Sequence, residues 1–513
     1  MTSLQPMQPD INWYRVLAHH ARRAPDKPIC IFGGEVVTYE EMATRSAALA
    51  AGLHERGIAA GDVVGLLSYN CPEFLETMFA VNYLGAVLMP INWRLASPEV
   101  RYILEHSGAR ALVCDESLLS VGDEATKDLD ASLLRVSISG SAVSGWIQLS
   151  EARTANRALA PAPAAGDDLH RLMYTSGTTG RPKGVMLTHA NLAWKNFAHV
   201  SEFGFDSSEL SLACGPLYHV GALDLTTTTM IAVGATIIIH RLFDAAAVVD
   251  EIERSRVTNV WMAPAMVNTI LALPGLEQRD LSSLRVLIGG GEKMPIPLIQ
   301  RLQATFPSAW FADAYGMTET VSGDTFLDSA SLLSKLGSAG RACQYLDLAI
   351  WDEDGNPLPP GQRGEIVMRG PKVFKGYWRD PGATAAAFAG GWFHSGDIGI
   401  LDTDGYLYIV DRLKDMILSG GENIASSEVE RVLYEHPAVL EAAVVGRADQ
   451  RWGEVPVAFV VLRAGSSSTA EDLVEHCRDQ LARFKVPKDV VFVDSLPRNP
   501  SGKVLKRELR VQV

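Results

Sequence analysis

Residues 174–185 read YTSGTTGRPKGV. These twelve residues hold three glycines, four Ser/Thr hydroxyls, one Arg and one Lys, directly after the apolar pair Leu172-Met173. Gly177 and Gly180 let the backbone approach a ligand closely and adopt positive φ. Thr175, Ser176, Thr178 and Thr179 offer hydroxyl donors, the backbone amides of such a loop can form an anion nest, and Lys183 adds a cation. The loop is not a Walker A, because Lys183 is followed by Gly184 where that motif needs Ser or Thr. A plain Gly/Thr surface loop is the alternative, and the strand ahead of it argues against that.

Outward from this loop, up to about residue 400, short apolar runs alternate with longer amphipathic ones. Val63–Ser68, Ala111–Val113, Thr236–Ile239, Asn259–Met262 and Arg285–Ile288 read as buried strands. Glu40–Arg56 and Pro72–Leu84 read as helices, the second with Pro72 in its opening turn. The alternation predicts an α/β fold: a large N-terminal domain, residues 1–411, of layered, mostly parallel sheets with helices. Residues 154–166, TANRALAPAPAAG, read as a surface linker inside it. From about residue 416 the texture changes. Ser427-Glu428-Val429-Glu430 has capping-box spacing ahead of a helix that runs to about His436. Ala442–Val445 and Val457–Leu462 read as strands. Ser468-Thr469-Ala470-Glu471 opens a second helix with Leu473, Val474, Cys477 and Leu481 on one face, and Val490–Val493 closes as a strand. This predicts a small α+β C-terminal domain, 416–513, bordering the first within DRLKDMI, 411–417.

At 513 residues the chain is too long for one ordinary domain, and its 47% apolar content supports a sizeable core. A net charge of −14 excludes nonspecific binding to nucleic acid or an anionic membrane, so any anionic ligand must be held by a local site. The six cysteines, at 30, 71, 114, 214, 343 and 477, form no CxxC pair; this fits a reducing compartment rather than a metal cluster or disulfide framework. MTSLQPMQPDINW lacks the charged and apolar regions of a signal peptide. The longest strongly apolar run, Met230–Ile239, is too short to span a bilayer. A cytoplasmic globular protein is expected.

YTSGTTGRPKGV resembles the signature of adenylate-forming enzymes, the superfamily of acyl-CoA synthetases, peptide-synthetase adenylation domains and beetle luciferases. Six further motifs of that superfamily recur in order: PLYHVGAL (216–223), GGGEKMP (289–295), AYGMTET (314–320), HSGDIG (394–399), DRLKDMILSGGENI (411–424) and NPSGKVLKR (499–507). The resemblance thus covers essentially the whole chain, and it is strongest to fatty-acyl-CoA and aryl-CoA ligases. A carboxylate is a poor acyl donor because its leaving group would be an oxide. Attack on the α-phosphate of ATP makes acyl-AMP and releases pyrophosphate; the thiol of coenzyme A then displaces AMP. That chemistry needs phosphate donors, Mg2+, a nucleoside pocket, an acid pocket and a movable lysine.

The resemblance implies a role for each position. Thr175, Ser176, Gly177, Thr178, Thr179 and Lys183 hold the β- and γ-phosphates. Tyr315 packs on adenine, Gly316 belongs to the same nucleotide site, Thr318 touches the α-phosphate and Glu319 helps hold Mg2+. Asp313 accepts the adenine amino group, and Asp397 accepts both ribose hydroxyls. Arg412 meets ribose or phosphate at the domain border. Lys503 bridges the substrate carboxylate and the α-phosphate, offsetting two anions that repel as they approach. Lys414 marks the hinge, 412–415, about which a mobile C-terminal domain rotates between the half-reactions, and Gly420 and Gly421 line the pantetheine channel. Outside that frame Glu319 reads as a solvated acid, Asp397 as a turn residue and Lys503 as part of a basic tail.

His219 resembles the gate beside the acyl carboxylate, although a lone His next to Tyr218 otherwise reads as a core residue. Peptide-synthetase domains place an Asp early in this region to pair with an α-amino group. Here the stretch is His219-Val220-Gly221-Ala222, which disfavours an amino-acid substrate, with Asp224 further on keeping the point open. Gly221, Ala222 and Thr226 are small and predict a roomy cavity bordered by Gly289–Gly291; Gly290 and Gly291 are counted with the nucleotide site. A fatty chain, an aryl acid and a polycyclic acid fit such a cavity equally. Ala425-Ser426-Ser427 departs from the common pattern, in which a proline precedes the acidic helix. The expected partners are a small carboxylic acid, ATP and coenzyme A, with no nucleic acid and no transmembrane segment. A carrier-protein phosphopantetheine is the alternative acceptor, a luciferase-like oxygenase the more distant alternative, and a homodimer is left open.

Overall fold

Four sheets organise the chain in the computed structural model, which describes residues 10–513 apart from 131, 139, 141, 155–158, 176–181, 292–293, 295, 413–414, 420–421, 450–451, 482 and 499–503. An eight-stranded sheet runs in the order Gly376–Tyr377, Lys183–Thr188, Leu169–Thr175, Val87–Ile91, Val63–Leu67, Ala111–Asp115, Leu134–Ile138, Ile147–Gln148. From Leu169–Thr175 onward the neighbours are parallel. Val63–Leu67, Val87–Ile91 and Ala111–Asp115 are buried along their whole length, as strands covered on both faces must be. A nine-stranded sheet has a parallel centre, in the order Trp310–Tyr315, Val286–Gly290, Asn259–Met262, Leu210–Ala213, Thr236–Ile239, Pro28–Phe32, with antiparallel strands at both edges. The α/β expectation therefore describes both large sheets. The predicted helices are Tyr39–Glu55, capped by Thr38 with Glu41 completing the box, and Pro72–Tyr83.

The third sheet lies outside that alternation. Asp347–Trp351, Arg363–Arg369, Phe393–Leu401 and Leu407–Arg412 pair antiparallel throughout. Its turns are local devices. Asp352 Oδ1 accepts from the amides of Asp354 and Asn356, and Asp402 Oδ1 from those of Asp404 and Tyr406. Gly355 and Gly405 complete the turns at φ 82°.

The fourth sheet joins Glu422–Ile424, Ile417–Ser419, Gly453–Leu462 and Val439–Asp449, with Asp489–Phe492 parallel to Gly453–Leu462. With helices Ser426–Glu435 and Ala470–Gln480 it forms the smaller α+β domain, whose core includes Val429, Leu433, Val444, Val460, Leu473 and Cys477. Both helix starts differ from the expected capping boxes. Ala425, not Ser427, is the N-cap of the first; the Ser427 hydroxyl donates to the Val410 carbonyl instead. Ser426 donates to Asp411 Oδ2 from both its amide and its hydroxyl, each at 2.6 Å. These serines tie the helix across the domain border rather than capping it. The second box forms one residue later, between Thr469 and Asp472.

Two other expectations change. The 154–166 stretch is no free linker: the Tyr83 hydroxyl donates to the Leu159 carbonyl at 2.6 Å and Asn12 Nδ2 to the Ala162 carbonyl at 2.8 Å. Residues 155–158 lie outside the described residues. The apolar run Met230–Ile239 breaks at Gly234, φ 72°, into helix Thr228–Val233 and strand Thr236–Ile239. No described helix is long and apolar enough to cross a membrane. The six cysteines are buried free thiols.

The N-terminal core also encloses His170, His189 and His199. Burial lowers the His189 imidazole to about 4 and holds the other two well below the ordinary value. An unfolded chain binds these protons near pH 6.5, whereas the folded one refuses them. Stability therefore drops as pH falls from about 6.5 toward 4, by ~1.4 kcal/mol per pH unit for each such histidine. Urea midpoints should decline across this window, and His189→Gln should flatten the slope. A midpoint unchanged between pH 6.5 and 5 would contradict this account.

Candidate active site

Asn259–Met262, Val286–Gly290 and Trp310–Tyr315 are adjacent, parallel and level, with Val260 beside Leu287 and Leu287 beside Phe311. Their carboxyl ends thus bring Trp261, Gly290-Gly291 and Tyr315-Gly316 to one sheet edge, where open α/β sheets hold ligands. The backbones there leave no room for side chains. A Cβ at Gly290 would lie 2.8 Å from the Ala314 carbonyl oxygen, and one at Gly316 2.3 Å from the Gly323 amide nitrogen. Asp313, mostly buried, sits level with Gly289.

Leu169–Thr175 and Lys183–Thr188 form an antiparallel pair in which Thr175 faces Lys183. Ser176, Gly177, Thr178 and Thr179 fall between those ends and outside the described residues. Lys183 Nζ lies 5.0 Å from the centre of the Tyr377 ring, and the Tyr377 hydroxyl donates to Glu319 Oε1 at 3.0 Å. Tyr377 arrives on Gly376–Tyr377, which pairs with Val185 and Met186. It therefore links the cation of the phosphate hairpin to the carboxylate expected at the metal. Thr318 and Glu319 are half-buried in the turn Thr318–Thr320. Burial raises the Glu319 carboxyl above its ordinary value, opposed by the Tyr377 hydrogen bond and the Arg412 charge.

The antiparallel sheet supplies the remaining polar groups. Asp397 and Arg412 are register partners, with Arg412 Nε 3.5 Å from Asp397 Oδ1. The Tyr315 hydroxyl donates to Asp397 Oδ2 at 2.9 Å. Below the AYGMTET turn, buried Lys372 donates to the Ser322 and Gly323 carbonyls and pairs with Asp324 Oδ1 at 2.9 Å. Asp324 Oδ2 accepts from the Thr320 hydroxyl at 2.5 Å. This clamp fixes a turn in which Val321 and Ser322 are left-handed, at φ 57° and 63°. Tyr377, Lys372 and Asp324 were not among the predicted site residues. A lysine or aspartate gives no sequence signal that it will be buried.

His219 Nδ1 accepts the Gly221 amide at 3.1 Å, so the neutral ring carries its proton on Nε2. The ring stacks on Trp261, with centres 6.0 Å apart and planes at 25°. Trp261 corrects the expected roomy cavity. Cβ atoms at Gly215 and Gly221 would lie 2.6 and 2.4 Å from its indole, and one at Gly291 3.9 Å. The small residues make way for the indole instead of leaving open space. Ala222 and Thr226 are buried, and the Thr226 hydroxyl donates to the Ala222 carbonyl at 3.3 Å. Asp224 is fully buried and paired with Arg171, so it is held in the core rather than presented to an amino group.

Lys503, Lys414, Gly420 and Gly421 lie outside the described residues. Around Lys503, Arg498 and Val504 form a β-bridge. Lys506 pairs with Glu430 at 2.7 Å and donates to Ser426, and Arg510 pairs with Asp415 at 2.9 Å. Against the cost of burial, Glu430 and Asp411 hold the Lys506 amine above its ordinary value.

Residues 17–378 match the AMP-binding enzyme family, and residues 428–503 match the AMP-binding enzyme C-terminal domain. The chain is 43% identical over 491 residues to a feruloyl-CoA synthase of Amycolatopsis sp, covering 96% of each. It is 39% identical over 493 residues to an indoleacetate–CoA ligase of Aromatoleum aromaticum, again covering 96% of each. The structure matches o-succinylbenzoate CoA synthetase of Bacillus subtilis, solved with the acyl-adenylate intermediate OSB-AMP, at a TM-score of 0.86 and 32% identity over 97% of this chain and 98% of that one. The chain therefore belongs to the AMP-binding enzyme family. Its class within that family is the acid:CoA ligases.

Proposed function

We propose that the protein activates an aromatic carboxylic acid with ATP and transfers the acyl group to coenzyme A. The observation that carries this reading is the convergence of Tyr315, Glu319, Asp397 and Arg412 beside the hairpin that holds Thr175 and Lys183. Asp397 takes the ribose hydroxyls, Tyr315 packs against the adenine, and Thr175 with the following loop and Lys183 grips the outer phosphates. Glu319 fits Mg2+, since one carboxylate plus phosphate oxygens is a donor set that ion accepts; once bound, it neutralises phosphate charge. Because burial raises the Glu319 carboxyl, metal binding weakens on acidification.

A carboxylate oxygen attacks the α-phosphorus, the bond to the bridging oxygen breaks, and pyrophosphate leaves. Lys503 neutralises the two anions as they meet. Residues 416–513 then turn about 412–415, bringing Gly420 and Gly421 against the pantetheine arm. The thiol loses its proton, sulfur attacks the acyl carbon and AMP departs.

We favour an aromatic acid over a fatty chain because the His219 and Trp261 rings stack where a roomy cavity was expected. Ferulate and indoleacetate, the acids in two of the relatives' names, both carry an aromatic ring, whereas a relative 40% identical over 481 residues is named for long-chain fatty acids. Pyrophosphate release with a panel of acids, with and without coenzyme A, tests the reading. Cinnamate-type and arylacetate acids should support release and, with coenzyme A, yield thioester. Long-chain fatty acids should show kcat/KM at least about tenfold lower. Preference for the fatty acids would overturn the substrate class, and no release with any acid would overturn the reaction.

A further inference from the structure

Arg171, Lys195 and Asp224 are each fully buried, and no step of the proposed reaction uses them. They come from three elements around the site. Arg171 lies on Leu169–Thr175, four residues ahead of Thr175. Lys195 lies on helix His189–Phe203, which follows the phosphate hairpin, and Asp224 on Gly221–Thr227, which begins two residues after His219.

Asp224 is gripped twice. Its carboxylate pairs with Arg171 and accepts the Thr228 hydroxyl at 3.2 Å, with Lys195 Nζ 4.0 Å away. Its backbone carbonyl accepts Lys195 Nζ at 2.6 Å and the Thr229 hydroxyl at 3.0 Å. Lys195 also donates to the Thr228 and Thr229 hydroxyls, at 2.8 and 3.2 Å.

The segment held this way is unusual. Gly221–Thr227 winds as a π-helix, a wide turn that is rare and found mostly at functional sites. The Thr227 hydroxyl, five residues on, donates to the Ala222 carbonyl at 2.9 Å, and Thr229 bonds Asp224 in the same way. This winding sets Gly221 flat against Trp261 while its amide donates to His219.

Fold stability alone does not explain the cluster. An arginine–aspartate pair and a lysine amine that burial holds well below its ordinary value share a dry core, and the desolvation penalty of such groups often exceeds their attraction. Arg171 Nε and Nη1 have no partner among the described residues. Apolar side chains of similar volume would pack strand, helix and turn at lower cost, but they would not impose one register among them.

We infer that Asp224, held by Arg171 and Lys195, is a positioning residue that sets the acid-binding turn at His219 at a fixed distance from the phosphate hairpin. The inference rests on the proposed adenylation. A misplacement of about 1 Å between reacting groups can cost roughly a hundredfold in rate. The cluster therefore acts on the step in which carboxylate and α-phosphate must meet, not on ATP binding.

The test uses the full chain with the best acid from the panel. The double variant Arg171→Met, Asp224→Asn removes the buried ion pair together at nearly constant volume, and Lys195 keeps its carbonyl and threonine acceptors. Its Tm and its Kd for ATP should stay near wild type, while single-turnover adenylate formation falls about ten- to a hundredfold. Thioester formation from supplied acyl-AMP should be retained. Wild-type adenylation in this variant would overturn the inference and leave the cluster with a folding role only. Should the double variant fail to fold, Lys195→Met gives the same reading. It leaves Arg171 on the carboxylate and only the Thr229 hydroxyl, of the two side-chain donors, on the Asp224 carbonyl, so adenylation should slow with ATP affinity unchanged, and an unchanged rate would again overturn the inference. Absence of pyrophosphate release in the wild type under the same conditions would instead refute the proposed reaction.

Discussion

Replacing Lys503 with alanine is expected to slow acyl-adenylate formation by roughly 10²–10³-fold while leaving thioester formation from supplied acyl-AMP largely intact. Carboxylate and α-phosphate are both anionic, and their approach needs a cation placed where the charges meet. The basic neighbour Lys506 is unsuited to that task, because its amine is committed to Glu430 and Ser426. The described residues on either side of Lys503 have anchors of their own. Arg498 bridges Val504 on one side, and Lys506 and Arg510 fasten the following turn to Glu430 and Asp415 on the other. Loss of the Lys503 amine should thus remove chemistry without loosening the chain that carries it. Single-turnover pyrophosphate release measures the first half-reaction, and coenzyme A acylation from acyl-AMP measures the second. Wild-type-like pyrophosphate release would exclude Lys503 from the adenylation step.

What the sequence revealed was local. Apolar runs such as Val63–Leu67 and Asn259–Met262 announce buried strands because their burial is nearly uniform along the chain. The motifs mark positions where strands end or turn, as Thr175 and Tyr315 do. What stayed hidden was pairing over distance and the fate of charge. Nothing near HSGDIG says that Asp397 will face Tyr315, 82 residues earlier, because the antiparallel sheet that brings them together is specified by its own turns. Nothing in the sequence around Lys195, Lys372 and Arg171 tells that they will be buried, since only tertiary structure shows whether a carboxylate or carbonyl will meet them. Trp261 was visible as a core residue, but its contact with Gly215 and Gly221 depends on three separate elements. Ser427 has capping-box spacing and so suggests a cap, yet partners across the domain border take the Ser426 and Ser427 hydroxyls first.

Asp397→Ala is expected to lower kcat/KM for ATP by roughly 10²–10⁴-fold. Two ribose hydroxyls donating to one carboxylate make charge-assisted bonds worth about 1.5–3 kcal/mol each, and about 1.4 kcal/mol is a factor of ten. A purely structural role makes a different prediction. Asp397 already joins Tyr315 to Arg412, so its removal would leave a buried hydroxyl and a half-buried guanidinium without their acceptor. That loss would lower Tm, whatever happens to nucleotide binding. Tyr315→Phe separates the two effects, because it deletes the same internal hydrogen bond and keeps the carboxylate. If Asp397 serves the ribose, Tyr315→Phe should keep ATP affinity within a few-fold of wild type, while Asp397→Ala loses it. Equal losses in both variants, tracking Tm, would assign Asp397 to the scaffold and take it out of the nucleotide site.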